Sequence, residues 1–207
     1  MPSFSARIVA RLVVLLCASG PALAAPTGAA PSAPSPAVLA EAIAARKAHH
    51  GSIGKRSVYA IVDYDVSWQD KRLWILDAAT NAVLLRAHVR HAAASDDATT
   101  GRAVECSNVA GSLKSSPGAF VTDRAFYVGH YGRSLRIQGL DDGVNDNAAA
   151  RDIVFHPAGP YTFSAGCFMV PDAEAQAALD LLVGGVFVYA HGCRGGEGGV
   201  RSASRSE

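Results

Sequence analysis

Two neighbouring elements carry a histidine and a cysteine within the segment Ile153-Val154-Phe155-His156-Pro157-Ala158-Gly159-Pro160-Tyr161-Thr162-Phe163-Ser164-Ala165-Gly166-Cys167. The apolar run that ends at His156 is typical of a buried strand. Cys167 ends a small turn that contains a glycine. A thiol and an imidazole supplied by adjacent elements are the minimum requirement for a cysteine nucleophile. The segment therefore predicts a Cys167–His156 site on a strand-rich frame.

Short β-rich runs recur on both sides of this segment, separated by turn residues. The sequence predicts strands over 58–64, 72–77, 82–89, 118–122, 124–128, 134–140, 152–156, 168–170 and 186–190. Residues 92–116 are small and polar and predict a long loop, and 148–151 predict one helical turn. Closely spaced short strands of this kind indicate a mainly antiparallel β domain.

Two helices are predicted beside these strands. Residues 37–50 are good helix formers with an apolar stripe of Val38, Leu39, Ala42, Ile43 and Ala45. A second helix begins near Pro171, ends at Gly184, and has a predicted buried face of Ala177, Ala178, Leu181 and Leu182. The fold class that follows is mainly β with a few helices, a single-domain sandwich or barrel.

The N-terminus has the three parts of a secretory signal peptide. Arg7 and Arg11 form a basic region, residues 12–18 a short apolar core, and Ala22-Leu23-Ala24 an A-x-A cleavage site. We expect residues 1–24 to be removed, 25–36 to be a Pro/Ala-rich linker, 37–193 to be the domain and 194–207 to be a flexible tail. The expected location is the periplasm or the outside of the cell.

Charge and composition limit the partners. Loss of Arg7 and Arg11 with the signal changes the formal net charge from +1 to −1. No block of like charge is present, so no nucleic-acid partner is expected. The mature chain has no further apolar segment long enough to span a membrane. We expect a monomer.

Three cysteines remain after processing, Cys106, Cys167 and Cys193. An odd number leaves at least one thiol unpaired unless chains cross-link. With Cys167 as the nucleophile, the other two either form a disulfide or stay as free, small apolar side chains. The sequence leaves both alternatives open.

His88 and His91 have an H-x-x-H spacing that raises the question of a metal site. Positions i and i+3 of a strand face opposite sides, so these two side chains would not converge. No third and fourth ligands at a suitable spacing accompany them. We expect no zinc here and no cofactor for the protein.

The chain resembles the YkuD-type L,D-transpeptidases, in particular the murein L,D-transpeptidase catalytic domain family. The resemblance runs from about Tyr59 to Tyr189 and rests on the order and spacing of short motifs. In chain order these are Asp63-Tyr64 with Arg72-Leu73-Trp74, Val89-Arg90-His91, Cys106-Ser107-Asn108, Ser115-Ser116-Pro117-Gly118, Tyr131-Gly132-Arg133-Ser134-Leu135, Gly139-Leu140 with Asn145-Asp146-Asn147-Ala148, Arg151 to His156, and Ser164-Ala165-Gly166-Cys167.

The resemblance implies a β-rich fold in which a Cys–His pair exchanges peptide bonds in peptidoglycan stem peptides. A tetrapeptide stem would acylate Cys167 and release its terminal D-residue, and the thioester would pass to a side-chain amine of a neighbouring stem. With water as the acceptor, the same site would act as an L,D-carboxypeptidase. A fold that had lost turnover would be a cell-wall-binding domain. A thiol oxidoreductase is not expected, because the chain has no C-x-x-C.

Each step of this chemistry has candidate residues. His156 would take the thiol proton and later protonate the leaving amine. Gly166 and Cys167, with Ala165 as a third candidate, would offer backbone N–H groups to the oxyanion, or Gly166 is an ordinary turn glycine. Ser164 would bond either its own turn or the histidine.

Polar loop residues are candidates for substrate contact. Arg151, Asn145 and Asn147 either bind a carboxylate or order the loop before the strand. Tyr131 and His130 either line the cleft or are solvated.

The segment around the nucleophile departs from the family's pattern. Only Pro157 to Phe163 separate the histidine from the Ser-x-Gly-Cys turn, where the family has a longer insert. Pro157 takes the place of a glycine, and Ala165 occupies a position that is often histidine or tryptophan. We expect these changes to reshape one wall of the cleft and to affect the choice of substrate.

Overall fold

The computed structural model describes residues 31–193, which contain two α-helices and eleven strands. The helices are α1 (Pro36–Ala48) and α2 (Asp172–Leu182). The strands are β1 (Val58–Asp63), β2 (Leu73–Asp77), β3 (Val83–Ala87), β4 (Asp96–Asp97), β5 (Arg102–Ala103), β6 (Gly118–Thr122), β7 (Tyr127–Gly129), β8 (Gly132–Gly139), β9 (Val154–Pro157), β10 (Phe168–Val170) and β11 (Phe187–His191). The predicted signal peptide, residues 25–30 of the linker and the tail at 194–207 lie outside the described residues.

One sheet contains every strand except β4 and β5 and curls into a nearly closed barrel. Its order is β10-β9-β8-β6-β11-β1-β2-β3, with β7 paired to β8. Beyond β3 the chain returns to the other edge, where the Arg90 N–H donates to Met169 O at 2.7 Å. The pairs β1–β11 and β9–β10 are parallel, and the other pairs of this sheet are antiparallel. The predicted mainly β fold is confirmed.

The centre of this sheet is covered on both faces, which is why all six residues of β1 are buried. On one face Tyr59 and Ile61 pack with Val38 of α1. On the other face the alternate β1 residues join a larger cluster that includes the buried side of α2 and the stacked rings of Phe155 and Phe168. A strand with two covered faces has a continuous apolar sequence.

Helix α1 begins at Pro36 because Ser35 caps it. The Val38 N–H donates to Ser35 Oγ at 3.2 Å, and proline is favoured in a first turn. Val38 and Ala42, one turn apart, are buried. Ile43, predicted on the same stripe, is exposed, because it lies about 100° around the helix from Ala42.

Helix α2 confirms the predicted element but not its whole buried face. The buried residues follow the i, i+3, i+4, i+7 spacing of one helix side and are Ala175, Ala178, Leu179 and Leu182. Ala177 is exposed, so the predicted face was wrong at this position, whereas Leu181 is half-buried and packs against the core.

Three local predictions differ from the structure. The loop predicted over 92–116 contains a 3₁₀ turn at Ala93–Ser95 and the small β4–β5 ladder. Residues 148–151 form turns rather than a helical turn, and the strand predicted at 124–128 begins only at Tyr127. Asp152 takes a φ of 53°, a left-handed conformation that ends the turns and starts the approach to β9.

Cys106 and Cys193 form a disulfide, with 5.4 Å between their Cα atoms. Of the two alternatives left open by the sequence, the structure has the paired form. The bond joins the loop 104–117 to the end of β11, 87 residues further along the chain. Cys167 is the only free cysteine among residues 31–193.

Candidate active site

Strands β9 and β10 carry His156 and Cys167 on the same side of the sheet. Phe168 pairs with Phe155, and both rings enter the core. Because side chains alternate along a strand, the adjoining residues His156 and Cys167 face away from that core. Cys167 precedes β10 by one residue, so it lies opposite Val154 and diagonal to His156. The two side chains therefore lie on the same face of neighbouring strands, two register positions apart.

The Cys167 thiol makes its hydrogen bond with the backbone rather than with His156. Its Sγ donates to Asp152 O at 3.6 Å. Burial raises the pKa of the thiol most strongly, and the Asp152 carboxylate also raises it, while a backbone hydrogen bond with Val154 and the Arg151 guanidinium oppose this shift. The resting side chain is therefore a neutral thiol that needs a base before it can attack.

His156 is held as a neutral base by its own strand. It is only 2% exposed, and its Nδ1 lies 2.6 Å from Pro157 O. A carbonyl oxygen only accepts, so Nδ1 carries the hydrogen and Nε2 of the neutral ring is an acceptor. Burial lowers the pKa of His156 below its ordinary value, although the contact with Pro157 raises it. The imidazole thus presents an unprotonated nitrogen, as a general base requires.

Aromatic side chains cover the imidazole. The Tyr131 ring stacks on His156 with 4.3 Å between centroids and 19° between planes. His130 and Tyr161 meet the Tyr131 ring edge-on, with centroids 4.9 and 5.6 Å away. Tyr131 is 41% exposed, so this group forms a wall between His156 and solvent. The structure brings the predicted Tyr131 and His130 to the site, and adds Tyr161, which sequence reasoning missed although it lies between the histidine and the cysteine.

Ser164 closes the turn that leads into Cys167. Its Oγ donates to Cys167 O at 2.7 Å and accepts the Gly166 N–H at 3.1 Å. Gly166 has a φ of 143°, in the region that favours glycine. Its N–H is used within the turn, whereas the Ala165 N–H has no hydrogen-bond partner among residues 31–193. Among the predicted oxyanion donors of the turn, Ala165 is therefore available in this conformation.

The turn packs directly on the loop 104–117. A Cβ added to Gly166 would lie 3.3 Å from Lys114 O, 3.3 Å from Ile153 Cδ1 and 3.4 Å from Arg151 Nη2. These contacts are tighter than most that a real Cβ makes. The loop that the disulfide anchors is thus one wall of the candidate site.

Arg151 clamps this loop with four hydrogen bonds. Its Nη1 donates to Ser107 O and Ser116 Oγ, both at 2.6 Å. Its Nη2 donates to Lys114 O at 2.6 Å and to Ser112 Oγ at 3.3 Å. The planar fork of a guanidinium suits such divergent acceptors. These bonds fit the loop-ordering alternative, and carboxylate binding by Arg151 stays a prediction.

Asn145 and Asn147 also make contacts within the protein. Asn145 is buried, and its Nδ2 donates to Pro117 O at 2.8 Å and to Ala119 O at 2.9 Å. Asn147 is exposed, and its Nδ2 donates to Asn108 O at 3.2 Å. Both residues tie the segment before β9 to its neighbours, and their predicted contact with substrate stays a prediction.

His88 and His91 have different partners. His88 Nδ1 lies 3.1 Å from Glu174 Oε2. His91 is fully buried, and Arg72 Nη2 donates to its Nδ1 at 2.6 Å, so its Nε2 carries the hydrogen and donates to Asp96 Oδ1 at 2.9 Å. Burial and two nearby arginines lower the pKa of His91 to about 3. His91 is therefore a neutral structural side chain.

Backbone carbonyl groups complete the site in a way that residue types do not reveal. Pro157 O orients the His156 ring, and Asp152 O receives the thiol hydrogen of Cys167. Asp152 has a left-handed φ of 53°. Aspartate tolerates this conformation better than most residues, which is the only sequence signal that could have drawn attention to it.

A family model described as the L,D-transpeptidase catalytic domain matches residues 32–191. The structure is similar to an L,D-transpeptidase from Stackebrandtia nassauensis, with a TM-score of 0.42 and 15% identity over 75% of this chain and 65% of that chain. It is also similar to an L,D-transpeptidase from Mycobacterium smegmatis, with a TM-score of 0.40 and 12% identity over 65% of this chain and 58% of that chain. No curated protein matches the chain.

The chain is shorter than the two solved L,D-transpeptidases, but the family model matches most of it. The chain spans 65% and 58% of the two solved chains, less than two thirds of either. Within residues 31–193, no helix is long and apolar enough to cross a membrane. The family model covers the whole barrel, from the approach to α1 to the end of β11. The chain belongs to the L,D-transpeptidase catalytic domain family.

Proposed function

We propose that this protein is an exported L,D-transpeptidase that carries an acyl group on Cys167 between stem peptides of peptidoglycan. The observation that supports the proposal is that Cys167, a free cysteine, directly precedes β10, which pairs with the strand β9 that carries His156. The contact of His156 Nδ1 with Pro157 O leaves Nε2 of the neutral ring as an acceptor. The family acts on peptidoglycan stem peptides, which supports the substrate class.

Acylation begins when the Cys167 side chain turns from Asp152 O toward His156. The thiol proton passes to Nε2, and the thiolate attacks the carbonyl carbon that precedes the terminal D-residue of a tetrapeptide stem. Backbone N–H groups of the Ser164–Cys167 turn stabilise the oxyanion. The imidazolium then gives its proton to the leaving amine, the C–N bond breaks, and a thioester remains on Cys167.

Transfer repeats these steps in the opposite sense. The side-chain amine of an acceptor stem attacks the thioester carbonyl and gives a proton to His156 Nε2. The C–S bond breaks, and the thiolate takes the proton back from the imidazolium. The product is a new amide that cross-links two stems. When water attacks instead, the product is a shortened stem, which is the carboxypeptidase alternative.

The test is the product formed from a tetrapeptide donor stem, with and without an amine acceptor stem. We expect mass spectrometry to detect a cross-linked product and the released D-residue. Cys167→Ser and His156→Gln should abolish both products, whereas His50→Gln, an exposed change at the end of α1, should not. A shortened stem alone, even in excess acceptor, would assign the protein as a carboxypeptidase, and no turnover would contradict both activities.

An inactive cell-wall-binding domain is a second candidate, and one observation favours it. The Cys167 thiol is bonded to Asp152 O, and burial raises its pKa. If the protein is such a domain, the wild-type protein and the Cys167→Ser variant would sediment equally with purified peptidoglycan. Neither would release a D-residue from a stem peptide. Turnover that depends on Cys167 would exclude this candidate.

A further inference from the structure

We infer that Asp63, Asp65 and His191 bind one divalent transition-metal ion of the Zn²⁺ type, at a site distinct from Cys167 and His156. One ligand atom from each of the three residues lies within 4.8 Å of the other two. The cluster lies at the ends of β1 and β11, which β6 and β8 separate from β9 along the sheet.

The parallel pair β1–β11 brings the ligands together. Asp63 and His191 are register partners at the last position of both strands, so their side chains lie next to each other on one face. Immediately after β1 the chain turns back, and the Asp65 N–H donates to Asp63 Oδ1 at 2.9 Å. A Cβ added to Gly192 would come within 2.8 Å of Asp65 Oδ1, so the glycine leaves the space that this carboxylate occupies.

Glu41 of α1 orients the His191 ring for metal binding. His191 Nδ1 lies 2.8 Å from Glu41 Oε2, and the carboxylate only accepts, so Nδ1 carries the hydrogen. In metal sites a histidine commonly donates its second N–H to a carboxylate in this way. His191 is only 8% exposed, and its Nε2 makes no hydrogen bond with the residues described. This nitrogen lies 3.4 Å from Asp65 Oδ2.

That distance suits two ligands of one ion. Ligand atoms about 2.0 to 2.1 Å from a tetrahedral Zn²⁺ are about 3.4 Å from each other. The same distance is too long for a well-formed N–H···O hydrogen bond. The three ligand atoms lie within 4.8 Å of one another, and bringing them all to the spacing of tetrahedral ligands needs movements of about 1 Å. The Asp65 side chain is 58% exposed and is free to make it.

Charge at the cluster favours a dication. Glu41, Asp63 and Asp65 bring three carboxylates to the imidazole, and Arg72 is the nearby permanent cation that interacts with Asp63. Asp63 is only 6% exposed, and its second carboxylate oxygen has no hydrogen-bond partner within residues 31–193. A buried carboxylate is costly without a counter-charge. An imidazole ligand favours Zn²⁺ and similar ions over Ca²⁺, which takes oxygen ligands.

The test is calorimetric titration of the full chain with Zn²⁺, in wild type and in Cys167→Ser, which removes the one free thiol of residues 31–193. We expect one ion per chain in both proteins and a higher Tm in its presence. Asp65→Asn should weaken binding at least tenfold and abolish the Tm shift. Asp142→Asn, an exposed change elsewhere, should do neither. Asp65 is exposed, so its variant should fold, which circular dichroism checks.

Several results would overturn the inference. They are an absence of binding, equal affinity in wild type and in both Asp65→Asn and His191→Gln, and binding that disappears in Cys167→Ser because the ion sits on the thiol. A Ca²⁺-induced Tm shift equal to that of Zn²⁺ would overturn the assignment to a transition metal. The site is independent of peptidoglycan turnover, so inactive protein would not affect this test.

Discussion

Replacement of Arg151 by lysine separates two roles for this residue, the loop clamp and the carboxylate-binding group. Lysine keeps the positive charge but presents one nitrogen in place of a planar fork. The guanidinium donates to Ser107 O, Ser116 Oγ, Lys114 O and Ser112 Oγ. A single ammonium group cannot reach acceptors on both sides of that fork, so we expect it to lose two of the four bonds.

The four bonds set the size of the effect. A hydrogen bond that involves a charged group contributes roughly 1.5–3 kcal/mol to stability, net of its competition with water, so the loss of two such bonds corresponds to about 3 kcal/mol at the lower end of that range. We therefore expect Arg151→Lys to lower the free energy of unfolding by about 3 kcal/mol. Loss of the bond to Lys114 O, which packs closely on Gly166, should also disturb the turn before Cys167 and slow its acylation, without a selective rise in KM.

Urea unfolding and the rate of Cys167 acylation are the two assays. Arg102→Lys, an exposed change in β5, is the matched control and should leave both unchanged. If Arg151→Lys has the stability of wild type and raises KM for a stem peptide alone, the clamp reasoning is refuted. Arg151 would then be the carboxylate-binding residue.

Three other perturbations follow from the same contacts. The pKa of His91 is lowered to about 3, so below about pH 6.5 the unfolded chain takes up a proton at this residue and the folded chain does not. Acidification to pH 5 should therefore lower the free energy of unfolding by about 2 kcal/mol through His91. A His91→Gln variant that kept the same acid sensitivity would contradict this. Reduction of the Cys106–Cys193 disulfide should lower the free energy of unfolding by roughly 4–5 kcal/mol, because the bond closes a long loop in the unfolded chain. Unfolding curves that coincide with and without reductant would contradict this. Tyr131→Ala should expose His156 and raise its lowered pKa, moving the acid limb of the acylation pH profile to higher pH; an unmoved limb would show that the ring stack does not desolvate the base.

The parts of the fold that the sequence predicted are those governed by local pattern. The run at Val154–Phe155 is apolar because β9 is buried, and the strand alternation places His156 and Cys167 on one side. The odd cysteine count predicted at least one unpaired thiol, and the turn that contains Gly166 singled out Cys167, which is free in the structure. The apolar run and the unpaired thiol follow from the sequence alone, whereas the Cys106–Cys193 pairing, 87 residues apart, stayed open.

The parts that escaped prediction depend on contacts between distant residues or on backbone atoms. The clamp by Arg151 reaches acceptors 35 to 44 residues away, in a loop with no regular pattern. The partners of His156 and Cys167 are carbonyl oxygens, which every residue has. The buried face of α2 was partly missed because alanine is common on buried and exposed helix faces alike. Only packing against the barrel decides which alanine is buried.

Intact-protein mass after incubation with a carbapenem tests most directly whether Cys167 becomes a nucleophile with His156 as its base. We expect one covalent adduct per chain, located on the peptide that contains Cys167, absent in Cys167→Ala and formed much more slowly in His156→Ala. An adduct that persists in Cys167→Ala, or wild-type protein that gains no mass and turns over no tetrapeptide stem, would contradict it.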